Sequence, residues 1–143
     1  MTDIAVGIKD ILETAAVGVF GATTGWGIYI HREPESPPDS TITIYETGGE
    51  DPNPKWLLDF PSVQVRVRGD KGGYVAAKAK ATEILDALLG WPSQVLNGDT
   101  WVAVNQIGGI NPIGDDDNDR PLFSLNYGLI IQPATGGNRI AMP

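Results

Sequence analysis

Apolar residues at Ile4, Ile8, Ile11, Leu12 and Ala15 recur at i, i+4, i+7, i+8 and i+11, the spacing that lines one face of a helix over residues 3–16. Thr2 or Asp3 is positioned to cap its open N–H groups, and Gly18 and Gly21 mark its exit. The period then changes to two. Trp26, Ile28 and Ile30 alternate with Gly27, Tyr29 and His31, and Ile42 and Ile44 alternate with Thr41, Thr43 and Tyr45, so both segments read as half-buried strands and as antiparallel neighbours. Between them Pro34, Pro37 and Pro38 withhold backbone donors, which predicts a projecting loop over residues 32–40. Residues 47–55, with Gly48, Gly49, Pro52 and Pro54, predict a second.

Residues 61–68 carry the clearest alternation of the first half. Val63, Val65 and Val67 point one way, and Gln64, Arg66 and Arg68 point toward water or a partner. After the glycine-rich link 69–73, Tyr74, Ala77, Ala81, Ile84, Leu85 and Leu88 form a helical stripe that Gly90 and Pro92 end. Residues 101–107 alternate again, and a third loop is expected over 108–120. Along 121–132 the odd positions Phe123, Leu125, Tyr127, Leu129 and Ile131 are all large and apolar. Burying them at about 1.5–3 kcal/mol each makes this strand central to stability. The residues from Gly136 onward read as a flexible tail.

The order α-β-β-β-α-β-β predicts one α+β domain over 1–143: a two-layer arrangement, with a mainly antiparallel sheet of about 4–5 strands packed by the central helix and joined by an N-terminal helix. Part of the sheet's second face is expected to stay open to another subunit. A chain of 143 residues has room for a single core.

Composition narrows the chemistry. Ten Lys plus Arg against 18 Asp plus Glu give a formal charge of −8, which opposes sequence-independent binding to nucleic-acid phosphates. The absence of Cys removes disulfides, thiolate nucleophiles and zinc-thiolate sites. No stretch reaches the ~20 apolar residues of a membrane helix, and the opening Met-Thr-Asp lacks the basic region of a secretory signal, so a soluble protein used inside a cell or an assembled particle is expected.

Candidate sites are sparse. His31 is the one histidine, beside Arg32 at a strand end, with no nucleophile or orienting group nearby in the chain. The run Asp115, Asp116, Asp117, Asn118 and Asp119 places oxygens at alternate positions like a calcium loop, but the sixth position is Arg120 and the twelfth Asn126, where that loop needs Gly and Glu. A solvated turn, a protein contact or a loop that repels DNA fits it better. The Gly-rich link 69–73 lacks both the P-loop and the dinucleotide-binding spacing. Arg66 and Arg68 offer an anion contact, solvated charges or a subunit contact, and the four tryptophans lack the basic interleaving of a base-stacking platform. Neither a catalytic set nor a cofactor site is predicted. Arg66, Arg68, Asp115, Asp116, Asp117, Asp119 and Arg120 stand as candidate interaction residues.

Residues 61–69 (PSVQVRVRG), followed by a Tyr/Ala-rich helix, together with residues 107–127 (IGGINPIGDDDNDRPLFSLNY), resemble the minor capsid and tail-terminator, or tail-completion, proteins of long-tailed bacteriophages. The similarity spans roughly residues 59–133. One departure is Asp115, where similar proteins often place a basic residue after the glycine of the acidic loop. The resemblance implies an α+β subunit of a homo-oligomeric ring, commonly a hexamer, in the virion of a siphovirus. Such a ring, assembled in the host cytoplasm, would stop tail-tube growth at the head-proximal end and present a joining surface to the neck or connector proteins. DNA would pass through without specific binding, and no membrane takes part. A neck, head-completion or other minor capsid protein is the alternative role; a small binding module or hydrolase would instead show a compact ligand pocket.

Overall fold

The computed structural model describes residues 3–143. Helix α1 spans Ile4–Thr14 and opens on Asp3, whose carboxylate accepts the N–H groups of Ala5 (2.9 Å) and Val6 (3.3 Å). Thr2, the other expected cap, lies outside the described residues. Helix α2 spans Tyr74–Leu88 and ends where Gly90 takes a left-handed φ of 69°. Nine strands complete the chain: β1 (Val19–Phe20), β2 (Gly27–Ile30), β3 (Thr41–Glu46), β4 (Glu50–Asn53), β5 (Leu58–Phe60), β6 (Ser62–Arg68), β7 (Gln94–Leu96), β8 (Asp99–Asp115) and β9 (Pro121–Gln132).

These strands form one curled, mixed sheet resembling half a barrel, which corrects the expected two-layer, mainly antiparallel sheet of about 4–5 strands packed by a central helix. Two long hairpins build most of it. In the first, β3 and β4 form one bent arm and β5 and β6 the other, with Gly48 and Gly49 opposite Pro61 at the bend. The second is β8 with β9. The hairpins join along β9, which pairs with β6 from Leu122 to Gly128 and, beyond Pro61, with β5 at Asp59 and Ile131.

Four segments depart from their sequence reading for identifiable reasons. The two early strands, expected to be antiparallel, pair in parallel as β2 and β3, because residues 31–40 carry the chain back to the same end of the sheet. The 47–55 segment contains β4, since pairing with β5 outweighs its Gly and Pro content. The 108–120 loop contracts to residues 116–120, as β8 absorbs Gly108 and Gly109 through shifts in register. The C-terminal residues are tied down: Arg139 donates to the Leu57 carbonyl (3.0 Å) and the Asp59 carboxylate (2.8 Å), and the Met142 N–H reaches the Pro54 carbonyl (3.0 Å).

Both helices pack on one face. There Ile42 and Ile44 of β3, the three valines of β6 and the odd residues of β9 join Ile8, Leu12, Ala77, Ala81, Ile84 and Leu88 in a continuous core. Trp101 of β8 closes it against Gly7 and Trp91. Of the predicted stripes, Ala15 and Tyr74 remain exposed. The opposite face is covered in part by the 31–40 crossover, and Thr41, Thr43 and Arg68 are buried there.

Candidate functional site

Residues 116–120 form the turn between β8 and β9, and Asp116 organises it. One carboxylate oxygen accepts the N–H groups of Asn118 (2.9 Å) and Arg120 (3.0 Å); the other accepts Nε of Arg120 at 2.8 Å. Asp119, at φ 59°, then closes the turn, and its carbonyl accepts the Gly72 N–H at 3.1 Å. Burial works against the Asp116 charge, but these N–H and guanidinium donors outweigh it and hold the carboxyl below its usual range.

Arg120 is buried and spans two segments, since its Nη1 also meets the Asp39 carboxylate at 3.1 Å. Arg68 binds the same crossover, donating from Nη2 to the Pro38 carbonyl (2.7 Å) and from Nε to the Asp39 carbonyl (2.9 Å). Its guanidinium pKa is lowered, by burial first and by nearby Arg120 second. Ser40 donates to Asp70 at 2.7 Å, and the Gly69 N–H reaches the Pro121 carbonyl at 2.9 Å. Residues 36–40, 69–73 and 116–120 therefore form one knitted rim at a single end of the sheet.

The candidate residues divide within this rim. Arg68, Arg120 and Asp116 are turned inward and hold it together, while Asp115, Asp117 and Asp119 remain exposed. Asp70 and Lys71 are exposed beside them, and a shallow groove of about 400 Å³ runs between Asp39, Lys71, Asp117 and Arg120. Arg66 lies further along β6 on the crossover-covered face, with Nε 3.9 Å from the Glu33 carboxylate. The outward charge of the rim is thus predominantly acidic.

Other surfaces offer little chemistry. His31 Nε2 lies 3.2 Å from an exposed Glu46 oxygen, with Tyr45 at the ring edge. A concavity of about 480 Å³ at the hairpin bend is lined by Thr47, Glu50, Phe60, Ser62, Asn105 and Ile107 among others, and Glu50 is the one ionisable group in its lining. A single carboxylate supplies no acid–base pair. Among the described residues no group of three or more His, Asp or Glu is placed to hold a metal ion, and no helix is long and apolar enough to cross a membrane.

Two surface features escaped the sequence reading. Trp56 at the β4–β5 tip is exposed with Ile140 and Met142 from the chain's end. The outer edge of β8 is unpaired among the described residues beyond Trp101. The uncharged length of residues 102–114 was the available signal for the second; nothing local marks the first.

None of the curated proteins matches the sequence. A solved structure described as the virion of a native gene transfer agent particle contains a chain of similar fold, with a TM-score of 0.64 and 18% identity, over 90% of this chain and 94% of that one. The family model described as bacteriophage tail terminator protein matches residues 11–133, a span that holds both hairpins, α2 and the acidic rim; the chain belongs to the bacteriophage tail terminator family, structural proteins of the virion tail.

Proposed function

We propose that this protein is a ring-forming tail terminator that caps the tail tube at its head-proximal end and presents the joining surface to the neck or connector proteins. The family match over residues 11–133 carries this reading. The geometry is compatible with it: a curled sheet holds a knitted acidic rim at one end and a hairpin tip bearing the exposed Trp56 at the other, giving each copy two dissimilar ends. Heterologous contacts between copies close into a ring when their rotation permits, and closure stops growth where a filament would continue. Six copies of a 15.2 kDa chain would weigh ~90 kDa.

In this reading the ring is put together in the host cytoplasm and stays in the virion. The exposed carboxylates of Asp115, Asp117 and Asp119 face the DNA path or the neck, with Arg66 available to a neighbouring protein. Like charge toward phosphate discourages DNA from adhering during passage. Light scattering of the purified protein, followed by electron microscopy after mixing with tail tubes, tests the proposal. Rings seated on tube ends support it. A species that ignores tubes but binds the connector would move the protein to a neck role, and a persistent monomer that binds neither would overturn the assembly reading.

A further inference from the structure

Counted through residues 122–128 of β9, the sheet runs β1-β2-β3-β6-β9-β8, so its two outermost strands are β1 and β8. β8 is 17 residues long, yet among the described residues its outer edge is covered only at Asp99, Thr100 and Trp101, by β7. From Val102 to Gly114 the strand contains no ionisable residue. Soluble proteins usually blunt such an edge with lysine or other charge. Pro112 and the shifts in register interrupt this one, but nothing charges it, and Val102, Ile107 and Ile113 are exposed along it at 38%, 53% and 51%.

The other borders differ. β4 carries Glu50, Asp51 and Pro52, two charges and a missing donor. β1 instead exposes Val19 (61%) and Phe20 (51%). The Phe20 N–H is not committed to β2: it donates to the Glu13 carboxylate at 3.1 Å, a bond that a strand carbonyl can replace. Lys9 Nζ stands 5.3 Å from the Phe20 ring centre and is paired with the Asp10 (2.6 Å) and Glu13 (3.3 Å) carboxylates, so the charges beside the ring are compensated.

We infer that the β8 edge of one copy docks against the β1 edge of the next, so that the sheets of successive copies join side by side around the ring. The occupant is a second copy of this chain. Each copy carries a charge of −8 and repels its neighbours, so the favoured contact is one that brings no carboxylates together, and 102–114 is a long uncharged strand edge that meets this condition. The two edges are different, which makes the contact head-to-tail, as ring closure requires. Apolar side chains on both sides add burial to the backbone pairing.

This inference rests on the ring reading, and cysteine cross-linking separates the two. The chain has no cysteine, so introduced thiols have no background. Phe20→Cys is mixed with Val102→Cys, Ile107→Cys or Ile113→Cys under mild oxidation, with tail tubes present if rings need them, and circular dichroism confirms folding of each variant. The expected result is a disulfide-linked dimer in at least one mixture and in no Phe20→Cys sample alone; chains bearing both cysteines give a ladder up to the full ring. Rings on tube ends with no cross-link at any pair overturn the edge contact and leave the terminator reading standing. Self-linking of an Ile107→Cys or Ile113→Cys chain, the mark of a two-fold contact, also overturns it. Absence of rings from tube ends overturns both.

Discussion

Gly7 of α1 lies directly under the indole of Trp101 from β8: a methyl group at Gly7 would come within 2.7 Å of the ring carbon Cη2 and closer still to its neighbour Cζ2. The contact docks the N-terminal helix onto the far hairpin. Trp101 is buried and also meets Trp91 edge-on, with ring centres 6.0 Å apart, so the indole has no free direction in which to retreat.

Gly7→Ala is therefore expected to destabilise the fold, despite the ~1 kcal/mol that Ala gains over Gly inside a helix. Overpacking a filled core costs about 1–3 kcal/mol, and here the obstacle is a rigid ring rather than a flexible chain end. Urea denaturation followed by tryptophan fluorescence measures the difference. A second variant carrying Trp101→Leu as well should lose most of the added penalty of the alanine; an Ala effect unchanged in that background would show that the indole is not the cause.

The alternation over residues 61–68 predicts that Arg68 faces water or a partner, yet it is buried and holds the 31–40 crossover through two carbonyls. Arg68→Met keeps the aliphatic volume and removes both bonds. At about 1.5–3 kcal/mol for each hydrogen bond to a charged group, the two together contribute about 3–6 kcal/mol, offset in part by removing a buried cation that Arg120 repels, so a net loss of a few kcal/mol is expected. Hydrogen exchange should accelerate in residues 32–40 while α2 keeps its protection. Uniform acceleration across the chain would contradict a local tether.

The burial of Arg68 illustrates what the sequence could and could not convey. Period-two runs over 63–67 and 123–131 and period-3.6 runs over 4–12 and 77–88 located both helices and the central strands, because each has one face in the core. The additional strands are short or carry Gly and Pro, and their order comes from pairing partners distant in the chain, such as Asp59 with Ile131, which local periodicity does not encode. A parallel neighbour for β2 depended on where residues 31–40 return. The acidic run was legible as a turn, but the inward role of Asp116 and Arg120 required Asp39, 81 residues before Arg120 in the chain.

Acid should loosen the rim. Asp116 is held below its ordinary range by the Arg120 and Asn118 donors acting against burial, and Asp39 is lowered by the Ser36 side chain foremost and by Arg120. A carboxyl whose folded pKa lies below its unfolded value near 3.8 stabilises fully above that value and loses its contribution as pH falls through the folded pKa. Stability should therefore decline below about pH 4. Asp116→Asn should be less stable than the parent at pH 7 and show a shallower decline between pH 4 and pH 2, measured as urea midpoints across that range. Parallel curves would exclude Asp116 as a source of the acid sensitivity.

The exposed rim carboxylates allow a test of function that leaves the fold alone. Because Asp116 organises the 116–120 turn, replacing it would confuse charge with structure, whereas Asp115, Asp117 and Asp119 are exposed and contribute no side-chain ion pair within 4.0 Å among the described residues. Asp119 has a left-handed φ of 59°, a conformation that Asn accepts as readily as Asp. Asp115, Asp117 and Asp119 changed together to Asn remove three negative charges from each copy, multiplied around a ring, while preserving shape. If these groups face the DNA path, tails should assemble and join heads at parental yield, and DNA ejection should slow, with the difference growing at low ionic strength where screening is weakest. Fluorescence-monitored ejection from purified virions provides the measurement. Parental ejection rates at every salt concentration would place these carboxylates away from the passage, and a loss of head joining with normal tails would assign them to the neck contact.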